Sequence, residues 1–236
     1  MARAREFPGS VRELFVTFAA QQQYPDLVAL ASELSVRISL ITDHAAVGLS
    51  ETVTPQGIVA LCEILDCPLE TVFSQESVSR PKLVAVLVDI SDPGNAGTVI
   101  RVADAAGADA VILAGNSVDP YNGKCVRASA GSLFHLPVVR ARNIETVFST
   151  CRAAGLALFS AHGYAKTPLD DIDLCLPIAW VFGNEAQGLS PEVLDKTDQS
   201  VQIPLYGKAE SLNLATAAAV CLYTTAMAGR RNARDD

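Results

Sequence analysis

KLVAVLVDISDPGNAGTVIRVADAAGADAVILAG, residues 82–115, decides the fold. KLVAVLVDI, 82–90, is an almost uninterrupted apolar run, the pattern of a parallel strand buried on both faces. SDPGNAG, 91–97, reads as a loop, with Pro93-Gly94-Asn95 as a turn and Ala96-Gly97 leaving room for close backbone approach. A helix starts near Thr98 and covers TVIRVADAAGA, which places Arg101 in its first turn. DAVILAG, 109–115, is a second strand, so the stretch is a βαβ unit.

The alternation continues toward the C-terminus through GSLFHLPVVRA, IETVFSTCRAAG, LALFSAH, PIAWVFGNE and SVQIPL to a last helix from about Leu212 to Met227. This order predicts a mostly parallel sheet with helices on both faces. In the other direction, SQESVSRPK is polar and carries a proline, so it reads as a linker. Before it lie a strand at 13–18, a helix from Tyr24 to Leu34 and a strand at 36–42. A turn at Thr54–Gly57 and a short buried element of open type, IVALCEIL, follow. The expected organisation is a small α/β domain at 1–74, a linker at 75–81 and a larger α/β domain at 82–236.

Half of the 236 residues are hydrophobic and 19% are charged, which excludes disorder for most of the chain. The formal net charge of -8 excludes a simple basic coat for nucleic acid but leaves room for a local patch. The first 80 residues hold 5 basic and 10 acidic side chains, so acidity concentrates there. Six cysteines form no C-x-x-C pair and have no histidine partners at ligand spacing, which argues against zinc. They read as reduced core residues of a cytoplasmic protein. No apolar stretch approaches the roughly 20 residues needed to cross a bilayer.

In parallel α/β sheets ligands bind beyond the carboxyl ends of the strands. Three loops fit that place: SDPGNAGTVIR (91–101), VFGNEAQGLS (181–190) and IPLYGKAESLNLA (203–215). A dinucleotide fingerprint fails in the first, because Gly94 and Gly97 lack a third glycine at the required spacing. Glu185, just after an apolar strand, is a cleft carboxylate or a helix-dipole partner. Ser211 and Asn213 are cleft groups or helix caps.

Together the loops read N-x-G-x-x-x-R, F-G-N-E-x-x-G-L and I-P-L-x-G-x-x-x-S-L-N, in that order. This set resembles the three signature motifs of the SpoU-type (TrmH-like) RNA ribose 2′-O-methyltransferases of the SPOUT superfamily, across about residues 82–228. RELFVT and TVTPQGIVA resemble the small substrate-binding domain of the rRNA-modifying members. The resemblance implies a SPOUT fold with a C-terminal deep trefoil knot, S-adenosylmethionine held in it, and a homodimer with the small-residue C-terminal helix as an interface element. It also implies a first domain that is short at its N-terminus, since only about ten residues precede RELFVT: either the start is truncated or the domain lacks its first strand and helix.

By motif match, Gly183, Ile203 and Leu212 are the leading cofactor contacts, with Asn184, Leu205, Ala161, His162 and Gly163 beside them. The resemblance makes Arg101 the essential group at the target ribose, either as the base that takes the hydroxyl proton or as a phosphate contact that orients the ribose. Asn95 would orient the loop or the ribose, Glu185 would position Arg101 or nearby backbone donors, and Ser211 and Asn213 would hold the ribose or cofactor edge. Direct methyl transfer needs no metal. His162 lies in a turn whose implied role is cofactor shape, and His44 and His135 are structural or surface residues. Lys124 and Arg127, with Arg140 and Arg142, form the best local basic cluster for RNA phosphates. The implied reaction is S-adenosylmethionine-dependent ribose methylation of 23S rRNA, including the thiostrepton-resistance type as a close subtype. The alternatives are a tRNA methylase, against which the tail GRRNARDD speaks, and a non-catalytic ribosome-assembly factor on the same fold.

Overall fold

The computed structural model describes residues 10–50, 52, 54–74 and 82–235. The chain divides into two compact units, one ending at Leu65 and the other starting at Asp66.

In the first unit, strand β1 (Val11–Thr17) is central. It pairs in parallel with β2 (Arg37–Ile41) and antiparallel with β3 (Ile58–Cys62). Helices α1 (Phe18–Gln23) and α2 (Pro25–Glu33) make the crossover from β1 to β2. Thr17 caps α1 by accepting from the Ala20 amide at 3.2 Å, and Pro25 sits at the start of α2, where its missing N–H costs nothing. Helix α3 (Asp43–Leu49) is capped by Thr42 in the same way. Leu14, Val16, Ala20 and Ala31 form the core. The element of open type is the edge strand β3, and it is only partly buried because one of its sides has no neighbouring strand.

The second unit begins with the short helix α4 (Leu69–Val72), whose Leu69 and Val72 are buried in that unit's own core. Residues 66–74 therefore belong with the larger unit, although the sequence reading ended the small domain at 74. The proposed linker at 75–81 lies outside the described residues. Next come β4 (Leu83–Val88), α5 (Pro93–Ala106), β5 (Ala110–Ala114), α6 (Gly123–Ala128), β6 (Val138–Ala141), α7 (Ile144–Ala153) and β7 (Ala157–Ala161). Strands β8 (Thr167–Pro168) and β9 (Ile178–Phe182), helix α8 (Pro191–Leu194), strand β10 (Gln199–Gln202) and helix α9 (Leu214–Asp235) complete it. The sheet order is β6-β5-β4-β9-β7-β10-β8, and every pairing in it is parallel.

Alternate residues of β4 serve two cores. Leu83, Ala85 and Leu87 face α5 and α9, whereas Val84, Val86 and Val88 face α4 and α7. Trp180, fully buried on β9, donates its Nε1–H to Thr225 Oγ1 on α9 at 2.9 Å, so its polar edge is satisfied. The small residues of α9, Ala215 and Ala218, are buried within this chain together with Cys221 and Leu222. They serve intrachain packing, and the exposed apolar residues of α9 are Tyr223 and Met227. Cys125, Cys151 and Cys221 are buried, Cys62 and Cys67 half-buried, and Cys175 is exposed, so the core reading holds for three of the six. No described helix is long and apolar enough to cross a membrane.

The helix after β4 differs from the sequence reading. It starts at Pro93 rather than near Thr98, because Asp92 caps it, accepting from the amides of Gly94 at 2.5 Å and Asn95 at 3.1 Å. Proline at the first helical position and an aspartate cap begin a helix as readily as they mark a turn. Asn95 therefore stands in the first turn and Arg101 lies in the third. Gly97 is the point of close approach: a Cβ there would stand 2.3 Å from the Cys125 carbonyl oxygen and 2.7 Å from the Ala128 Cβ, so α5 packs against α6 with no room for a side chain.

Candidate active site

Strand β4 leads to β5 on one side and borders β9 on the other, so the order of the sheet reverses beside it. Parallel sheets open a ligand crevice at the carboxyl ends near such a point. A cleft with about 710 Å³ of empty space, open to solvent, lies there. Its lining comes from the ends of β7, β9 and β10 and from the loop entering α9. Ala161, His162, Gly163, Gly183, Asn184, Ile203, Leu205 and Leu212 all line it, and so do Glu185 and Ser211. Asn95, Arg101 and Asn213 do not. Phe182, Val201, Leu214 and Ala217, which the sequence reading missed, also line it, as do Gly188 and Glu210, which it placed in the motif loops without a role in the site. Glu210 had a signal, since it directly precedes Ser211 in the third motif.

The turn after β9 is built on two glycines. A Cβ on Gly183 would stand 2.4 Å from the Gly188 carbonyl carbon and 2.5 Å from the Leu189 nitrogen, both backbone atoms. Gly188 has a φ of 69°, a conformation costly for residues with a Cβ. The turn closes with Asn184 N donating to Gly188 O at 3.1 Å and Gly188 N donating to Asn184 O at 2.8 Å. The Asn184 side chain accepts from the Ala186 amide at 2.9 Å and donates to the Asp89 carbonyl at 2.8 Å. That second bond ties the end of β9 to the end of β4.

Glu185 reaches the loop before α5. Its carboxylate accepts from Ser91 N at 3.2 Å, Ser91 Oγ at 3.1 Å, Asp92 N at 3.1 Å and Asn95 Nδ2 at 3.2 Å. Burial works to raise its pKa, but its own amide, those of Ser91 and Asp92, and the Asn95 side chain together hold the carboxyl below its ordinary value. Of the two placements expected for Glu185, the structure shows the backbone donors. Asn95 Oδ1 in turn accepts from Asn213 Nδ2 at 3.1 Å. Asn213 also caps α9, accepting from the Ala215 amide at 2.9 Å. One chain of hydrogen bonds, Glu185–Asn95–Asn213, thus joins residues from all three motif loops, and the capping and site readings of Asn213 hold together.

Arg101 is exposed on α5 and has no hydrogen-bonding or ion-pair partner among the described residues. Lys124 is engaged: its Nζ stands 3.0 Å from Asp92 Oδ2. The lysine is the main cause of a lowered Asp92 pKa, aided by the amides that Asp92 caps. Arg140 is paired with Asp66 and lies over the Tyr121 ring. Arg127, in the last turn of α6, is exposed. The expected basic cluster is thus in part neutralised within the chain.

The cleft fits S-adenosylmethionine. Leu205 and Leu212 are each 36% exposed, which offers apolar surface to a flat heterocycle. The Glu210 carboxylate and Ser211 supply polar groups for hydroxyls or an ammonium.

An all-parallel sheet, a cleft at the carboxyl ends of its strands and three motif loops joined across it define a ligand-binding α/β domain. The chain belongs to the SpoU rRNA methylase family. Residues 82–223 match the model of that family, and residues 3–66 match the model described as RNA 2′-O ribose methyltransferase substrate binding. The chain is similar to the 23S rRNA (guanosine(2553)-2′-O)-methyltransferase RlmP of Bacillus subtilis. The two are 36% identical over 222 residues, spanning 93% of this chain and 82% of the relative. Among solved structures it resembles the SpoU methyltransferase AviRb from Streptomyces viridochromogenes in complex with AdoMet. The TM-score is 0.82 and the identity 31%, covering 98% of this chain and 87% of the other. The AdoMet-bound rRNA methyltransferase from Sinorhizobium meliloti gives a TM-score of 0.81 at 30% identity, covering 98% of this chain and 84% of the other.

Proposed function

We propose that this protein methylates a ribose 2′-hydroxyl of 23S rRNA with S-adenosylmethionine as donor, in the cytoplasm and as a homodimer. The observation that carries the reading is the convergence of the three motif loops: two line one cleft, and the Glu185–Asn95–Asn213 bonds tie the first loop to them. The names of the relatives, 23S rRNA 2′-O-methyltransferases, support the substrate class.

The donor supplies an electrophilic methyl group on a sulfonium. Gly183, Ile203 and Leu212 are the primary wall of its site, with Asn184, Leu205, Ala161, His162 and Gly163 completing it. Folding of the chain around this site as a trefoil knot is part of the proposal. A ribose hydroxyl is a weak nucleophile and must be aligned and polarised as it attacks, giving up its proton to solvent water. Arg101 is the group assigned to that task. Guanidinium groups stay protonated at neutral pH, so its role is to hold the neighbouring phosphate and ribose by charge and hydrogen bonds. Asn95, fixed on both sides by Glu185 and Asn213, sets the start of α5 from which Arg101 projects. Ser211 holds the cofactor edge. The dimer forms through the exposed flank of α9 that carries Tyr223 and Met227.

The test is tritium transfer from labelled S-adenosylmethionine to unmodified 23S rRNA, with the product mapped by resistance of the adjoining linkage to alkali. Arg101→Ala is expected to lower kcat by at least about 10²-fold while cofactor affinity, read by calorimetry, stays within about twofold. Full activity of that variant removes Arg101 from the mechanism. A protein that binds the donor yet labels no rRNA overturns the substrate assignment.

A further inference from the structure

Two exposed tyrosines each follow directly on a residue of the cleft wall. Tyr164 is 90% exposed and Tyr206 is 93% exposed, whereas Trp180, Phe148 and Phe182 are buried. Tyr164 directly follows Gly163, and Tyr206 directly follows Leu205, both residues of the cleft wall. Each tyrosine also opens the same triplet, Tyr164-Ala165-Lys166 on one loop and Tyr206-Gly207-Lys208 on the other. Both lysines are exposed. Neither has a carboxylate partner among the described residues, while Lys124, Arg140, Arg152 and Lys196 all stand in ion pairs.

Rings this hydrated contribute nothing to the core, and two of them beside one cleft present flat apolar faces to whatever enters it. Tyr164 is held in place. The His162 ring meets it edge-on at 5.8 Å, and the Gly163 carbonyl accepts from Gln202 Nε2 at 2.9 Å. An aromatic face with a free ammonium two residues on is the chemistry of single-strand recognition: the ring stacks on a base and the cation holds a phosphate. In a chain of net charge -8, lysines without local partners are also the groups that remain to meet a polyanion.

We propose that the two Tyr-x-Lys triplets form a clamp for unpaired RNA, stacking on the bases that flank the target nucleotide. This assignment rests on the RNA-methylating reading above and deepens it, since it specifies a substrate opened out of its helix. Bases within a duplex offer no free face to such rings.

The test uses the full chain, with fluorescence anisotropy on a 12-nucleotide single-stranded RNA, the same sequence annealed as a duplex, and an unmodified 23S rRNA transcript. Tyr164→Ala and Tyr206→Ala are each expected to weaken single-strand binding and raise KM for the transcript about tenfold, with kcat and donor affinity within about twofold. Tyr164→Phe and Tyr206→Phe, which keep the ring, should bind as the parent does. Lys166→Ala and Lys208→Ala should each reduce the slope of log affinity against log salt by about 0.7. Unchanged RNA affinity in both alanine variants overturns the clamp. So does a change in sedimentation from dimer to monomer, which would place the rings at a protein interface. Transfer to rRNA with ring-independent binding defeats the clamp alone. Ring-dependent binding without any transfer supports the clamp and defeats the proposed reaction.

Discussion

Gly183→Ala is the sharpest perturbation of the site, because one methyl group meets only backbone. The new Cβ would stand 2.4 Å from the Gly188 carbonyl carbon, where ordinary contact begins at 3.4 Å. The two arms of the turn must therefore part by about 1 Å. No side chain can swing aside to relieve this. Overpacking of this kind costs about 1–3 kcal/mol. The two bonds between Asn184 and Gly188 that close the turn are strained with it, at about 1 kcal/mol each. A total of roughly 3–5 kcal/mol leaves most such domains folded and lowers Tm by roughly 6–20 °C for a chain of this size. The chemistry suffers more than the fold. Asn184 and Glu185 move with the turn, and they anchor the end of β9 to Asp89, Ser91 and Asp92. Misplacement by about 1 Å is expected to reduce methyl transfer about 10²-fold. Differential scanning fluorimetry reads the first effect and tritium transfer from labelled S-adenosylmethionine the second, with calorimetric titration reporting donor binding. A variant melting within about 1 °C of the parent and binding the donor normally would refute the close-approach argument.

Two further outcomes follow from titration behaviour. The Glu185 carboxyl is held below its ordinary 4.5, so its contribution to stability is complete above that pH and is lost as pH falls through the lower folded value. Glu185→Gln should therefore cost about 1–2 kcal/mol at pH 7 and progressively less in acid, and a Tm difference that stays constant down to pH 3 would contradict the network. Burial pushes the thiols of Cys125 up to about 11 and of Cys151 and Cys221 up to about 12. In the folded protein at pH 8 a thiol reagent should leave these three unmodified and label the exposed Cys175 first; rapid labelling of Cys221 would show that α9 does not stay packed.

Hydrophobic periodicity made the βαβ unit at 82–115 legible, because a buried strand and a helix each impress their period on consecutive residues. The same local information placed Gly183, Asn184, Ile203 and Leu205 just past strand ends, where a parallel sheet binds ligands. It failed at Asp92-Pro93, where one dipeptide serves both a turn and a helix start, and only the bonds from Gly94 and Asn95 to the Asp92 side chain decide between them. Nothing local in the sequence showed that Lys124 stands in an ion pair within the chain, for a related reason. Its partner, Asp92, is 32 positions away, and charge alone does not tell a lysine which anion it will meet.

By itself the sequence determined the class of fold, the order of its elements and the three loops that meet at the candidate site, since these depend on short-range pattern and residue type. Tertiary structure alone decided that β9 lies between β4 and β7, that Glu185 grips amides 94 and 93 residues earlier, and that Asn95 meets Asn213 across 118 positions. It also brought Gly163 and Leu205, the chain neighbours of Tyr164 and Tyr206, into the wall of one cleft. Such pairings are fixed by which apolar faces must be buried together, and that is a property of the whole packed chain rather than of any window along it.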